Sequence, residues 1–288
     1  MPDNPTPQEL RKVLRSMSDW RAWIKTHLFL RDETYIQTVL EGITKVGVIE
    51  PLSGNAYPPK EIGIVGGNLR ETIRAGRLIS RHRALLVELR QAGSRNAALI
   101  SRKAKIYAPE ALTEFALYMR GRYPRFVGSE YAESEEEIRS LFPIPHQDIQ
   151  ALSFVDSSFD VVLSNDVFEH IPDLDKALIE CCRVLGPEGY LVATFPFAFE
   201  RQDGIRKAVL EDGSVTYLTE PEYHGNPMNP ERGSLVFEVP GWNLIERAKG
   251  AGFSDAAYVF NSSARHGILG RELAGVFVFC ASKSGQIA

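Results

Sequence analysis

Cysteine is scarce in this sequence, which contains only Cys181, Cys182 and Cys280 among its 288 residues. Two of the three are adjacent, and none has the spacing of a paired-cysteine metal site. Neither a disulfide framework nor a thiolate-bound metal is therefore expected. Because thiols are kept reduced in the cytosol, this usage fits a cytoplasmic protein.

Long apolar segments are also missing. No run of about 18 apolar residues occurs, so no membrane span is expected. The first residues, MPDNPTPQEL, lack the basic stretch and apolar core of a secretory leader. Hydrophobic residues nevertheless make up 44% of the chain, which is ordinary for a globular protein with a sizeable core.

The net charge of −4 gives no general reason to expect a nucleic-acid partner. Charge is unevenly distributed, however, because residues 68–125 contain 13 Lys and Arg and only four acids. This segment carries +9 and leaves −13 for the rest of the chain. Such asymmetry fits either an anionic partner or a solvated helix face that pairs with acidic residues elsewhere.

Residues 1–98 are predicted to form an N-terminal helical region. Thr6 to Glu9 has the form of a capping box with Pro7 at the first helical position. Apolar residues with helical spacing follow in three stretches: Leu10 to Met17, Ile36 to Ile43 and Ile79 to Gln91. The glycine-containing Ile62 to Asn68 lacks G-x-G-x-x-G spacing and predicts a turn near a short strand.

From residue 99 to residue 288 the pattern changes to strands that alternate with helices, which predicts a doubly wound α/β domain with a mostly parallel sheet. Polar residues after the strands matter most, because ligands of such sheets bind beyond the carboxyl ends of the strands. Glu130 follows the predicted strand 126–128, Asp148 precedes an apolar stretch, and Asn165 and Asp166 follow the strand 160–164. Each alone is compatible with a helix cap or a turn, but together they predict a binding site.

The stretch from Leu152 to Phe197 reads LSFVDSSFDVVLSNDVFEHIPDLDKALIECCRVLGPEGYLVATFPF. It resembles the central block of class I S-adenosylmethionine-dependent methyltransferases, which implies a Rossmann-like fold and S-adenosyl-L-methionine as cofactor. Gly128-Ser129-Glu130-Tyr131 and Glu222 to Pro227, which reads EYHGNP, are similar to stretches of a bacterial subset often encoded near surface-glycan genes.

The resemblance implies a cofactor site. Glu130 would hold the ribose hydroxyls, and Asp148 would accept the adenine amino group while the Ile149 backbone N–H meets the ring. Asn165 and Asp166 would face the methionine part of the donor.

The first loop departs from the family pattern. Family members carry glycines there so that the backbone approaches the methionine moiety. The corresponding stretch, Ile106 to Thr113, contains no glycine. Glu110 is instead a candidate for binding the α-amino group of the donor.

Two histidines are candidates for acid–base chemistry. His170 follows the strand end near the cofactor, where it either acts at the site or caps the next helix. His224 lies in a long insertion, Ala198 to Pro240, of the kind that builds the acceptor pocket in this fold, and is a candidate general base. Convergence of His146, Glu169, His170 and His224 on a metal is conceivable. No H-x-x-x-H spacing supports it, so no metal site is predicted.

The resemblance therefore implies methyl transfer to oxygen or nitrogen of a small-molecule or glycan-linked acceptor. The alternatives are a catalytically degenerate fold that serves as a binding or scaffold module and, less favoured, an RNA methyltransferase. The N-terminal region is expected to cover the acceptor side or to mediate formation of a homodimer.

Overall fold

The computed structural model describes residues 7–287 and contains short and long strands in alternation with helices. The strands are β1 (Leu10–Leu14), β2 (Val48–Ile49), β3 (Ala56–Tyr57), β4 (Ile62–Ile64), β5 (Ile73–Ala75), β6 (Ile106–Ala108), β7 (Phe126–Gly128), β8 (Phe159–Asn165), β9 (Leu185–Thr194), β10 (Ile205–Arg206), β11 (Ala208–Glu211), β12 (Ser214–Tyr217), β13 (Tyr223–His224), β14 (Ser234–Leu235), β15 (Glu238–Val239), β16 (Asp255–Ser262) and β17 (Val276–Ser282). The helices are α1 (Met17–Ile24), α2 (Glu33–Val46), α3 (Leu69–Thr72), α4 (Ser80–Arg95), α5 (Glu114–Arg122), α6 (Glu135–Ser140), α7 (Leu174–Val184) and α8 (Leu244–Gly250).

Seven of these strands form one sheet in the order β1-β16-β17-β9-β8-β6-β7. By internal contacts, the chain divides into two compact units. The first comprises the residues up to Ala97 together with Ala257–Phe279, and the second comprises Ala98–Ala256 together with the residues from Cys280 onward. Within residues 7–287, no helix has both the length and the apolar character that crossing a bilayer demands.

In the first unit, the helix predicted from Leu10 to Met17 is wrong. Leu10–Leu14 is a strand that pairs antiparallel with β16, from Leu10 opposite Ser262 to Leu14 opposite Tyr258. Helix α1 begins only at Met17, after Ser16 caps the N–H of Asp19. A stripe this short does not distinguish helix from strand, and the available sheet edge decided the outcome. Thr6, part of the predicted capping box, lies outside the described residues.

The other helices predicted in the first unit are present as α2 and α4. The first unit also contains a fully buried cation, Arg83 on α4. Its guanidinium donates to four backbone carbonyls at 2.6–2.9 Å, those of His266, Leu78, Ile73 and Gly267. Arg83 thus holds together segments that are distant in the chain.

The second unit contains the predicted parallel αβ arrangement. Strand β6 pairs in parallel with β7 and β8, and β8 pairs in parallel with β9. Strand β8 and the second half of β9 are almost entirely buried, as their continuous apolar sequences predict for central parallel strands. Because these strands run in one direction, the residues that follow them meet at one edge of the sheet.

Two local features complete that edge. A single parallel bridge between Glu130 and His146 continues the sheet beyond β7 and brings the segment of Asp148 beside the segment of Glu130. The insertion after β9 folds into three small antiparallel pairs, β10 with β15, β11 with β12, and β13 with β14. These pairs fix the position of His224, which lies on β13.

Candidate active site

A series of side-chain hydrogen bonds, largely buried, connects the carboxyl ends of β6, β8 and β9. Glu110 is 4% exposed, and its Oε1 accepts a 2.7 Å hydrogen bond from Asn165 Nδ2. Its Oε2 accepts from the hydroxyl of Thr113, the N-cap of α5, at 2.6 Å. The Asn165 Oδ1 in turn accepts from Thr194 Oγ1 at 3.3 Å. The structure thus brings two predicted site residues, Glu110 and Asn165, into direct contact.

Glu130 holds the first loop, Ile106 to Thr113, through two hydrogen bonds. Its Oε1 accepts hydrogen bonds from the backbone N–H groups of Ala111 at 2.7 Å and Leu112 at 2.9 Å. Within residues 7–287, its Oε2 accepts no hydrogen bond from the protein. One oxygen therefore organises the loop, while the other remains available for a ligand hydroxyl.

The glycine that permits close backbone approach lies on the neighbouring strand rather than in the first loop. A Cβ added to Gly128 would lie 2.6 Å from the Glu110 carbonyl oxygen and 3.1 Å from the Ala111 Cα. Real Cβ atoms essentially never come within 3.0 Å of another heavy atom. A residue without a Cβ at the end of β7 therefore allows the first loop to pack directly against that strand.

Asp148 occupies a turn of its own making. Its Oδ1 accepts from the backbone N–H of Gln150 at 2.8 Å, and the Gln150 amide group contacts both carboxylate oxygens. The adjacent Ile149 is buried. Burial raises the pKa of Tyr107, whose hydroxyl lies 2.9 Å from Ser129 Oγ, and the Asp148 and Glu130 carboxylates raise this pKa further.

Asp166 adopts an unusual backbone conformation directly after β8. Its φ of 50° lies in the left-handed region, which non-glycine residues rarely adopt. A 2.7 Å hydrogen bond from its N–H to the Thr194 carbonyl holds it there. Such strained residues are concentrated at functional sites, where the surrounding structure maintains them.

A second cluster consists of Glu169, His170 and His224. Glu169 is fully buried, and its Oε1 lies 3.5 Å from His224 Nδ1 and 3.7 Å from His170 Nε2. The two imidazole rings are 5.1 Å apart and nearly perpendicular. The structure therefore brings both predicted catalytic histidines together, although they are 54 positions apart in the sequence.

Each imidazole is oriented by a hydrogen bond on its far side. His170 Nδ1 lies 2.9 Å from the Leu235 carbonyl oxygen, and His224 Nε2 lies 3.0 Å from Glu222 Oε1. The other oxygen of Glu222 accepts from the ammonium group of Lys207. These contacts direct His170 Nε2 and His224 Nδ1 toward Glu169.

The electrostatics of this cluster are strongly perturbed. Burial raises the pKa of Glu169, and the Asp166 carboxylate raises it further. The Glu169 carboxylate, together with Glu222, raises the pKa of His224 to about 9 even though partial burial opposes the shift.

The sequence predicted no role for several of the residues described above, among them Thr113, Gln150, Lys207 and Glu222. Glu169 was considered only as one member of a conceivable metal cluster. Glu169 lies in the Leu152–Phe197 stretch and Glu222 in the EYHGNP stretch, the two segments that carry the resemblance to methyltransferases. No pattern in the sequence indicated that these two segments meet.

The fold defines a class: a doubly wound α/β domain with polar residues at the carboxyl ends of its strands, the edge at which such sheets bind ligands. Residues 121–193 match a family model described as a methyltransferase domain. Over 147 residues the chain is 27% identical to a probable S-adenosylmethionine-dependent methyltransferase of Mycolicibacterium smegmatis, which corresponds to 50% of this chain and 52% of that protein. Over 44 residues it is 48% identical to a malonyl-[acyl-carrier protein] O-methyltransferase of Methylococcus capsulatus, 15% of this chain and 16% of that protein.

Among solved structures, the chain is similar to an S-adenosylmethionine-dependent methyltransferase of Thermotoga maritima described as a possible histamine N-methyltransferase. The identity is 18% and the TM-score 0.40, over 70% of this chain and 91% of the other. The matches therefore identify a methyltransferase domain in residues 121–193, and the chain is similar to S-adenosylmethionine-dependent methyltransferases. It spans about half the length of the first curated relative that it matches, and much less of the second.

Proposed function

We propose that this chain transfers the methyl group of S-adenosylmethionine to an oxygen or nitrogen atom of a small-molecule or glycan-linked acceptor. The proposal is carried by one observation. The stretch that resembles methyltransferases, Leu152 to Phe197, lies in a sheet whose carboxyl edge carries hydrogen-bonded polar side chains. Glu110, Glu130 and Asn165 are linked there by hydrogen bonds to one loop or to each other. Such preorganised groups cost little further ordering when a ligand binds.

The donor half of the site follows from the carboxylates at this edge. The free Oε2 of Glu130 would accept from a ribose hydroxyl, since an ionised carboxylate offers several acceptor lone pairs. Asp148, with the Ile149 backbone N–H beside it, would meet the adenine ring once the Gln150 side chain turns away. Glu110, Asn165 and Asp166 would surround the methionine end, where a carboxylate favours the α-ammonium group.

The acceptor half would be formed by the insertion after β9. Its β13 brings His224 to Glu169 and His170, which lie a few residues beyond the end of β8. The exposed rings of Tyr217 and Tyr223, whose hydroxyls are 3.2 Å apart, add aromatic surface on the same insertion. Aromatic surface and a few convergent polar groups on one insertion would suit a small polar acceptor.

The chemistry asks little of the protein beyond alignment. The sulfonium of the donor is already reactive, so holding nucleophile, methyl carbon and sulfur in line supplies much of the rate. A hydroxyl acceptor must also lose its proton, and a general base contributes roughly 10² to 10⁴-fold at that step. His224 and His170 are our candidates for that base.

Calorimetry with S-adenosylhomocysteine tests the donor half. We expect one site with micromolar affinity, corresponding to roughly −8 kcal/mol. Absence of binding at millimolar concentration would instead support the scaffold alternative. Salt-sensitive binding to RNA, which the +9 segment would predict, would favour the RNA methyltransferase alternative.

Two histidine variants test the acceptor half through release of S-adenosylhomocysteine, measured as background turnover or with an acceptor. His224→Ala is expected to slow turnover by 10² to 10⁴-fold while the cofactor affinity changes by less than about twofold. His170→Ala is expected to affect cofactor binding as well, because it lies nearer the β8 end. Normal turnover in His224→Ala with a large loss in His170→Ala would reverse these roles.

A further inference from the structure

We propose that Glu169, His170 and His224 form a binding site for one divalent transition-metal ion, of which Zn²⁺ is the representative. The site would use two imidazole nitrogens and one carboxylate oxygen, a donor set that suits zinc and its neighbours rather than Mg²⁺ or Ca²⁺. This inference differs from the expectation drawn from the sequence, in which no metal site was predicted.

The geometry of the three donor atoms comes first. Glu169 Oε1 lies 3.5 Å from His224 Nδ1 and 3.7 Å from His170 Nε2, and all three residues offer ligand atoms within 4.8 Å of one another. Bonds of 2.0–2.1 Å in a tetrahedral site place neighbouring ligand atoms about 3.4 Å apart. The two carboxylate–imidazole distances exceed this spacing by a few tenths of an ångström at most. The two imidazole nitrogens, which lie within 4.8 Å of each other, would move closer together as the ion binds.

The second observation is the state of Glu169. Its side chain is completely inaccessible to solvent, yet neither carboxylate oxygen accepts a hydrogen bond within the described part of the chain. Buried polar groups of native proteins nearly always have hydrogen-bond partners, because an unsatisfied buried acceptor costs about 1–3 kcal/mol. A bound cation removes that cost.

The third observation is the outer layer of contacts. Metal-binding histidines usually donate their other ring N–H to a carbonyl or a carboxylate, which fixes the tautomer and leaves the lone pair facing the metal. His170 has the Leu235 carbonyl in this role, and His224 has Glu222, which Lys207 holds from the other side. Both inward nitrogens thereby present their lone pairs to the same point beside Glu169.

A site with three protein ligands keeps a position open for a fourth ligand. Both imidazoles are partly exposed, at 14% for His170 and 31% for His224, so the open position can be reached from solvent. This part rests on the proposed function: an acceptor hydroxyl bound there would lose its proton to solvent more readily. Its oxygen would then form the C–O bond as the S–CH₃ bond breaks and the electron pair moves to sulfur.

The direct test is titration of the chelator-treated full chain with Zn²⁺ in calorimetric competition with a chelator of known affinity, and with Co²⁺ followed by visible absorption. We expect one equivalent of Zn²⁺, a tetrahedral or five-coordinate Co²⁺ spectrum, and no response to Mg²⁺. Glu169→Gln, His170→Ala and His224→Ala are each expected to weaken Zn²⁺ binding at least 100-fold. Glu222→Gln, which alters only the outer contact, is expected to weaken it 10- to 100-fold.

His27→Ala is the matched control, because His27 is a half-buried imidazole of the first unit, bonded to Thr26 and the Trp23 carbonyl. It should bind Zn²⁺ as the unaltered chain does. Failure of the unaltered chain to bind Zn²⁺, or equal affinity in the Glu169, His170 and His224 variants, would overturn the metal site.

S-adenosylhomocysteine calorimetry on the same samples separates the two proposals. Cofactor binding without Zn²⁺ binding refutes only the metal site. Zn²⁺ binding without cofactor binding refutes only the proposed function. Because the Co²⁺ spectrum is recorded on the unaltered chain, a variant that fails to fold does not remove the test.

Discussion

Replacing Glu130 tests the double role that the structure gives this carboxylate. In Glu130→Ala the N–H groups of Ala111 and Leu112 both lose their acceptor. Ala111 is buried at 1% exposure, whereas Leu112 is 41% exposed and can turn to water. The unfolding free energy should therefore fall by about 1–3 kcal/mol, the cost of one buried unsatisfied donor. Without the structure, Glu130 would be expected to line an open crevice and to affect stability little.

The conservative variant separates the two roles. Glu130→Gln keeps one acceptor oxygen for the loop, so its unfolding free energy should stay within about 1 kcal/mol of the unaltered chain. It loses the charged oxygen proposed to bind ribose, which should weaken S-adenosylhomocysteine binding by about 1.5–3 kcal/mol. That loss corresponds to roughly 10- to 150-fold in Kd. Glu130→Ala should lose at least as much affinity.

The assays are urea unfolding without ligand and calorimetry with S-adenosylhomocysteine, each on the three proteins. The expected pattern is a stability loss in the Ala variant only and an affinity loss in both. Normal affinity in both variants would show that the ribose does not meet this carboxylate. Equal stability of all three proteins would show that the first loop does not depend on Glu130.

Three further substitutions have distinct expected outcomes. Gly128→Ala should lower the unfolding free energy by about 1–3 kcal/mol and weaken S-adenosylhomocysteine binding, because its Cβ would lie 2.6 Å from the Glu110 carbonyl oxygen. Gly121→Ala is the control, because its Cβ would meet nothing within 4 Å. An equal effect of both substitutions would contradict the argument. Asp148→Ala should weaken S-adenosylhomocysteine binding by about 1.5–3 kcal/mol in calorimetry with little change in urea unfolding, and unchanged affinity would misplace the adenine. Arg83→Met should cost at least about 3 kcal/mol in urea unfolding, since it removes the side-chain donor of four carbonyls, of which that of Leu78 keeps the Ala75 N–H, and a loss below about 1 kcal/mol would contradict that account.

Much of the second unit could be predicted from the sequence because its elements carry strong local signals. The strand predicted at Phe126–Gly128 is confirmed with those bounds, and the strand predicted at residues 160–164 lies within β8. Continuous apolar runs identify central parallel strands, and a side-chain cap such as that of Asp173 identifies a helix start. These signals lie within a few residues of the element they specify.

The side-chain contacts of the site were less accessible to sequence reasoning. The positions of Glu110, Glu130, Asp148, Asn165 and Asp166 near strand ends followed from the pattern, but their partners did not. That Glu130 binds the first loop depends on the absence of a side chain at Gly128, and that His224 meets Glu169 depends on the pairing of β13 with β14. Both depend on tertiary packing between segments with no shared local pattern.

The pairing of β1 with β16 has a consequence for how the protein is made. Leu10 is synthesised 252 residues before its partner Ser262. Until then the backbone groups of β1 have no strand to pair with, and such unpaired strands are prone to wrong associations. Most of the second unit is synthesised in between, so it can begin to fold while the first unit is still incomplete. The time during which an early-made strand waits for a late-made one is therefore when this chain most needs a chaperone.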